Sequence, residues 1–182
     1  MKPDNITENI EIPESVQVKI ENPFIIVTGP KGEVKRQLFN PKISLSVREN
    51  TINLSAEKPS KKEKTLIGTY KAHIRNMIRG VQEGHVYKLK ICSGHFPMSV
   101  STTDKEFTIK NFLGEKVPRT VKIRDNVSLK LEGTDITIKS TNKELAGQQS
   151  ADIEQLTKIS KRDRRIFQDG IYIVSKDGKD LS

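Results

Sequence analysis

"FIIVTGPKGEVKRQL", residues 24–38, reads as a strand, a glycine-bearing turn and a second strand, and the same pattern returns at residues 107–123 as "FTIKNFLGEKVPRTVKI". Each copy is followed by a hairpin of period two, "ISLSVRENTINLS" (43–55) and "VSLKLEGTDITIKS" (127–140), in which Ile43, Leu45 and Val47 match Val127, Leu129 and Leu131. Such alternation puts every second side chain on one face. It predicts half-buried antiparallel strands turning at Glu49-Asn50 and Gly133-Thr134.

A polar break and one helix follow each hairpin, over "KKEKTLIGTYKAHIRNMIRGVQ" (61–82) and "LAGQQSADIEQLTKISKRDRR" (145–165). Both are expected to end at an acidic residue and a glycine, Glu83-Gly84 and Asp169-Gly170, where glycine can turn left-handed and stop a helix. In the first helix Leu66, Tyr70, His73, Ile74, Met77, Ile78 and Val81 fall at three-and-four spacing, an apolar stripe backed by Lys71, Arg75 and Arg79. The offset between copies runs from 83 at Phe24/Phe107 to 86 at Gly84/Gly170, too long for a solenoid unit. The expected fold is therefore α+β, two tandem repeats of a small antiparallel sheet with one packed helix each, divided as residues 1–90 and 91–182.

Composition narrows the function classes. The 182 residues hold 32 Lys plus Arg against 23 Asp plus Glu, a net +9 that favours polyanionic partners. Residues 1–90 carry 16 basic and 10 acidic side chains and residues 91–182 carry 16 and 13, so local placement must decide where such a partner binds. One cysteine, Cys92, excludes an intramolecular disulfide and reads as a buried spectator in a reducing compartment. With no signal-like start and no apolar run near the roughly 20 residues of a membrane span, the expectation is a soluble cytoplasmic protein with no membrane partner.

Catalytic patterns are missing. Three histidines (His73, His85, His95), one thiol and no tryptophan form no His-Glu-x-x-His site, nucleophile elbow or phosphate loop, so neither a metal nor another cofactor is expected. His73 lies on the apolar stripe as a core histidine; His85 and His95, with no carboxylate at ligand spacing, read as structural residues or phosphate contacts. Cys92 and His95 are two residues apart on an extended stretch, a poor nucleophile-base geometry. The turns "GPKG" (29–32) and "FLGEK" (112–116) open no helix and read as hairpin tips, where Lys31 or Lys116 could touch a nucleic-acid backbone.

The basic residues cluster late. "KISKRDRR" (158–165) holds five cations and one acid, and Lys158, Lys161, Arg162 and Arg165 fall at i, i+3, i+4 and i+7, one helical face with Arg164 to its side. One or two lysines would serve a helix dipole; three of the chain's nine arginines suit bidentate gripping of phosphates. A second patch, "KNFLGEKVPRTVKIR" (110–124), adds Lys110, Lys116, Arg119, Lys122 and Arg124 around Phe112, while "EKPSKKEK" (57–64) reads as a solvated linker. No paired aromatic platform or zinc finger is present, leaving backbone and shape recognition.

The carboxyl segment then carries a resemblance. Gln155, Ile159, Arg162, Arg165, Phe167, "DGIYI" (169–173) and Lys176 follow the spacing of a signature in the archaeal and eukaryotic branch of ribosomal large-subunit protein six. "GTYKAHIRNMIRGVQEGHVYKLK" (68–90), "GHFPM" (94–98), "NFLGEKVPR" (111–119) and "DIEQ" (152–155) extend the likeness over nearly the whole chain. The resemblance implies two tandem α+β domains and binding to large-subunit rRNA, mainly through the second. It implies a place near the stalk base and the sarcin-ricin loop, beside neighbouring ribosomal proteins, with translation factors docking nearby. Arg162, Arg165 and Lys176 become contact candidates beside Lys158, Lys161, Arg164, Lys110, Lys116 and Arg119, with Phe167, Gly170 and Tyr172 as frame. The chain departs from the bacterial branch after Tyr172, where "IVSKDGKDLS" replaces a Tyr-Lys-Gly-Lys-Gly tail. Two rival readings are a basic protein-interaction adaptor and a hydrolase using Cys92 with His95.

Overall fold

A computed structural model describes residues 5–160 and 162–181, and the alternating stretches of sequence are strands in it. The first copy contains β1 (Asn5–Glu11), β2 (Gln17–Glu21), β3 (Phe24–Gly29), β4 (Gly32–Gln37), β5 (Ser44–Arg48), β6 (Thr51–Glu57) and α1 (Lys61–Gln82). The second contains β7 (His85–Cys92), β8 (Ser99–Thr102), β9 (Glu106–Lys110), β10 (Arg119–Lys122), β11 (Val127–Glu132), β12 (Asp135–Ser140) and α2 (Lys143–Leu156). Last come β13 (Gly170–Lys176) and the short β14 (Lys179–Asp180).

The α+β class and the duplication hold, but each copy carries two small sheets rather than one. In the first they run β1-β6-β5 and β2-β3-β4; in the second, β11-β12-β7-β13-β14 and β10-β9-β8, with every pairing antiparallel. β1 and β7 hold the same place, each beside the last hairpin strand of its copy. The strand after α1 thus opens the second copy instead of closing the first. The chain divides between Gly84 and His85, six residues before the boundary drawn from sequence, because β7 takes its partners from residues 135–176. Divided there, the units hold 14 basic and 10 acidic, and 18 basic and 13 acidic, side chains, so net charge still singles out neither.

In the first unit, Ile25, Val27, Ile52 and Leu54 of the sheets are buried against Ile67, Ile74 and Val81 of α1. Burial follows the three-and-four spacing read from the sequence; His73 is half-buried, its Nε2 3.2 Å from Arg36 Nη2. The stretch read as a solvated linker is shorter than expected. Pro59 is buried, Ser60 is the N-cap, and Lys61, Lys62 and Lys64 already form the first helical turn. Ser60 and Glu63 make a reciprocal capping box, and hydrogen bonds from the Ser60 hydroxyl and main chain hold the Glu63 carboxyl down at about 2.

The other end of α1 is closed from the sheet. Lys31, at the β3–β4 tip, donates its main-chain N–H to the Val81 carbonyl (2.9 Å) and its ammonium to that of Glu83. It therefore serves a helix C-terminus, where cations complement the dipole. Gly84 follows with φ 77°, the left-handed stop expected of it. The approach of tip to helix requires Gly29: a Cβ there would lie 2.7 Å from Val81 Cγ2 and 3.1 Å from its carbonyl oxygen. Gly29→Ala is expected to cost about 1–3 kcal/mol as overpacking, read as a lower urea midpoint with unchanged slope.

The second helix is built differently. Its buried face is Ala146, Gln149, Ser150 and Ile153, two of them polar. The Gln149 amide is satisfied by the link from β10 to β11, accepting from the Arg124 N–H (2.9 Å) and donating to the Lys122 carbonyl (3.4 Å). α2 ends at Leu156 with Thr157 as its C-cap, nine residues before the end expected from sequence. The Thr157 hydroxyl donates to the Glu154 carbonyl and accepts the Ile171 N–H, both at 3.0 Å, so the chain is diverted to meet β13. Gly170 terminates no helix. It opens β13, and a Cβ there would come within 3.1 Å of the Tyr172 ring.

Candidate nucleic-acid interface

Three loops of the second unit meet at one end, and each is anchored by a buried aromatic or carboxylate. In the 111–118 loop, left-handed backbone at Asn111, Leu113 and Gly114 turns Phe112 into the core and leaves Lys116 and Val117 exposed. The Asn111 side chain donates to the Pro97 carbonyl (3.0 Å), and Gly114 lies against the Phe96 ring, which joins this loop to residues 94–98.

Arg119 ties the same loop to the end of α2. Its guanidinium lies 4.4 Å over the Phe112 ring, grips both Glu115 oxygens (2.7 and 2.5 Å), and donates to the Leu156 carbonyl at 2.6 Å. The hydrogen bond from Arg119 holds the Glu115 carboxyl below its usual range. The cation at the C-terminus of α2 is thus Arg119, reaching across from β10 as Lys31 reaches α1 in the first unit. Its donors are occupied within the protein.

The third loop, residues 158–160 and 162–168, carries the arginines, and none of these residues is helical. Ile159 is buried; Asp163 then makes a turn, accepting the Arg165 main-chain N–H at 3.0 Å and its guanidinium at 2.8 Å. Lys158, Arg162 and Arg165 therefore share no helix face, and the last turn of α2 holds no cation. Instead the loop is stacked in place. The Phe167 ring meets both the Arg162 guanidinium and the His95 ring, 4.9 Å from each.

Behind the stack, Asp169 is 1% exposed and accepts the main-chain N–H of Gly94, that of His95 (2.9 Å) and the His95 Nδ1 proton (2.8 Å). Burial alone would raise its pKa, but the hydrogen bonds from His95 and Gly94 outweigh it and hold the carboxyl below the normal value. At the far end of β13, Asp177 pairs in the same way with buried His85, Nδ1 to Oδ1 at 2.9 Å. Both histidines thus have carboxylate partners, from positions too distant in sequence to be read as ligand spacing.

Of the residues expected to bind, Lys158, Arg162, Arg164, Arg165, Lys110 and Lys116 are exposed on these loops or their rims. Arg164 and Lys158 line a groove with Glu154, Ile159 and Tyr172; on the other side of Tyr172 a second groove runs past Cys92, His95 and Ile166. Arg165 keeps 90% of its side chain exposed despite its bond to Asp163. Lys161 lies outside the described residues. Lys176 stands apart: it pairs opposite Tyr87, whereas Gly170 pairs opposite Cys92, so six strand positions, about 20 Å, separate it from the loops. Cys92 is exposed rather than buried, and no hydrogen bond joins it to His95. Asp163, Asp169 and His95, which set the shape of the site, carry no charge pattern that would mark them in the sequence.

A family model described as Ribosomal protein L6 matches the chain twice, over residues 12–84 and 96–170, once in each unit. The chain is similar to the large ribosomal subunit protein uL6 of Methanobrevibacter smithii, 47% identical over 172 residues that cover 94% of this chain and 97% of that one. It is likewise similar to the protein of that name from Methanococcus vannielii, 45% identical over 176 residues, 97% of each.

Proposed function

The chain belongs to the ribosomal protein L6 family, and from that premise we propose that it is a cytoplasmic structural constituent of the large ribosomal subunit, holding rRNA by phosphate and shape contacts through the second unit. The observation that carries this reading is the three-loop end: five cations without an ion pair to any described residue (Lys110, Lys116, Lys158, Arg162 and Arg164), with Arg165, stand on loops that Phe112, Phe167 and Asp169 pin to the core. Pinned loops present their charges without an ordering cost at the moment of binding. Arg119 is a clamp for that surface rather than a contact, and Lys176 belongs to another part of it. By resemblance the surface faces the stalk base and the sarcin-ricin loop, with neighbouring ribosomal proteins and, at times, translation factors beside it.

No catalytic role is assigned. His95 is oriented by Asp169 as a general base would be, but the link from imidazole to a nucleophile is missing, since Cys92 makes no bond to it. Among the described residues no group of His, Cys, Asp or Glu could hold a metal.

The test is a salt titration of binding to a large-subunit rRNA fragment. Replacing Lys158, Arg162, Arg164 and Arg165 by alanine is expected to flatten the slope by roughly 0.7–0.9 for each lost phosphate contact, about 3 in all. Unchanged slope and affinity would remove the cluster from the interface, and loss of the protein from subunits in a high-salt wash would favour the adaptor reading.

A further inference from the structure

The duplication leaves one place filled in the second unit and open in the first. β7 is flanked by β12 on one side and β13 on the other, whereas its counterpart β1 is, among the described residues, an edge strand paired with β6 alone. The registers make the equivalence residue by residue. Ile52 and Leu54 of β6 match Ile136 and Ile138 of β12 at a spacing of 84; the first pair faces Ile10 and Glu8, the second Leu89 and Tyr87. Ile10 therefore stands where Leu89 stands, and Leu89 faces Ile173 of β13. Among the described residues no strand holds that position in the first unit.

The open edge is lightly defended. β1 runs seven residues in unbroken register with β6 and contains no lysine, proline or bulge, and its one inward-pointing charge, Glu8, is countered by Lys71. Of its two carboxylates, Glu8 is tied to Lys71 on α1 and only Glu11 faces solvent unpaired. Beside β1 runs a groove of about 420 Å³, lined by Asn9, Ile10 and Glu11 and by Arg75, Ile78, Arg79 and Gln82 of α1. No residue of β6 lines it, so it lies on the open side of the strand.

The helix tells what chemistry fits. In the second unit α2 meets β13 with acceptors: Glu154 Oε1 takes the Ile173 N–H at 3.1 Å and the Thr157 hydroxyl takes that of Ile171. In the first unit α1 presents donors. Arg75 is exposed and reaches the Glu8 carboxylate only through a longer-range attraction, and Arg79 is bonded to Glu83 one turn on.

We propose that an extended, acidic segment of another protein adds to β1 as an antiparallel strand, in the place β13 takes on β7. Its alternate apolar side chains lie against Ile10 and Ile78, and its carboxylates face Arg75 and Arg79. The row of main-chain donors and acceptors along β1 complements a strand and not a phosphate backbone, which separates this surface from the basic loops of the second unit.

The test uses the full chain and a synthetic peptide that keeps the alternate isoleucines of β13 with aspartate between them. Amide exchange across residues 5–11 is expected to slow at least tenfold in the presence of the peptide, while β5, the other edge of that sheet, is unchanged. Arg75→Glu with Arg79→Glu is expected to weaken binding at least tenfold. A peptide N-methylated at every amide, which can fill a groove but has no N–H left on either edge to extend a sheet, is expected to give no protection, and it needs no variant to fold. The proposal is overturned if millimolar peptide leaves β1 exchange unchanged, or if the methylated peptide protects equally. It is also overturned if β1 becomes protected with rising protein concentration alone, the mark of a second copy, or if an rRNA fragment protects β1 where the peptide does not.

Discussion

Asp169→Ala is expected to destabilise the second unit by about 2–4 kcal/mol, the result of removing a buried acceptor that holds two main-chain donors and a half-exposed imidazole. The carboxylate accepts two main-chain N–H groups and one ring N–H, and alanine leaves all three donors without a partner. Each unsatisfied main-chain donor alone is worth about 1–3 kcal/mol, so the total does not depend on the histidine being charged. Urea denaturation reads the loss. The sign with pH follows from the lowered carboxyl: the stabilisation is full above the ordinary aspartate range and is lost as pH falls through the lower folded value. In the variant the acid limb of the stability curve flattens accordingly. Binding reports the same change differently from loss of the arginines. With the 94–98 and 158–168 loops released, rRNA affinity drops while the salt slope, which counts cations, stays near its original value.

A chain ending after Phe167 loses the fold of the second unit altogether. Such a truncation removes Ile171, fully buried, at about 2–5 kcal/mol for its side chain. It also removes Asp169, at about 2–4 kcal/mol, and the Asp177 partner of buried His85, at about 3–5 kcal/mol. Together these reach the roughly 5–15 kcal/mol that holds an entire domain. The first unit has its own core, from Ile10 to Val81, and retains it. Amide exchange is therefore expected to run at unprotected rates across residues 85–167 and at native rates across 5–84. Persistent protection of β7 would mean that β12 alone suffices to hold it.

The fold was legible wherever a periodicity was apolar. The hairpins at 43–55 and 127–140 turn where alternation placed them, and α1 spans the residues whose stripe announced it. α2 was misread at its end because its buried face uses Gln149 and Ser150, so the apolar signal was weak while the spacing of Lys158, Arg162 and Arg165 imitated a helix that is not there. Charge spacing carries no information about backbone unless burial fixes the phase. The site was legible in its cations and silent in its framework. That Arg162 and Arg164 are exposed follows from their chemistry, but that Arg119 is consumed by Glu115 and Leu156 depends on a contact across 37 residues. Position in the sheet was beyond the repeat alone, since the equivalence of Gly84 and Gly170 says that the strands after them, β7 and β13, are alike and not that they are neighbours.

That neighbourhood imposes a timetable on synthesis. Cys92 pairs with Gly170, 78 positions later, and at the usual 5–20 residues per second the partner of β7 emerges about 4–16 s after it. During that interval β7 is a bare edge in a nascent chain whose first unit has already been synthesised in full. Lys88 and Lys90 stand exposed between Tyr87, Leu89 and Ile91, so the waiting strand carries charge along its length. Slow codons or a stalled ribosome between residues 140 and 170 would lengthen its exposure, and aggregation during expression is expected to track that delay rather than the stability of the finished protein.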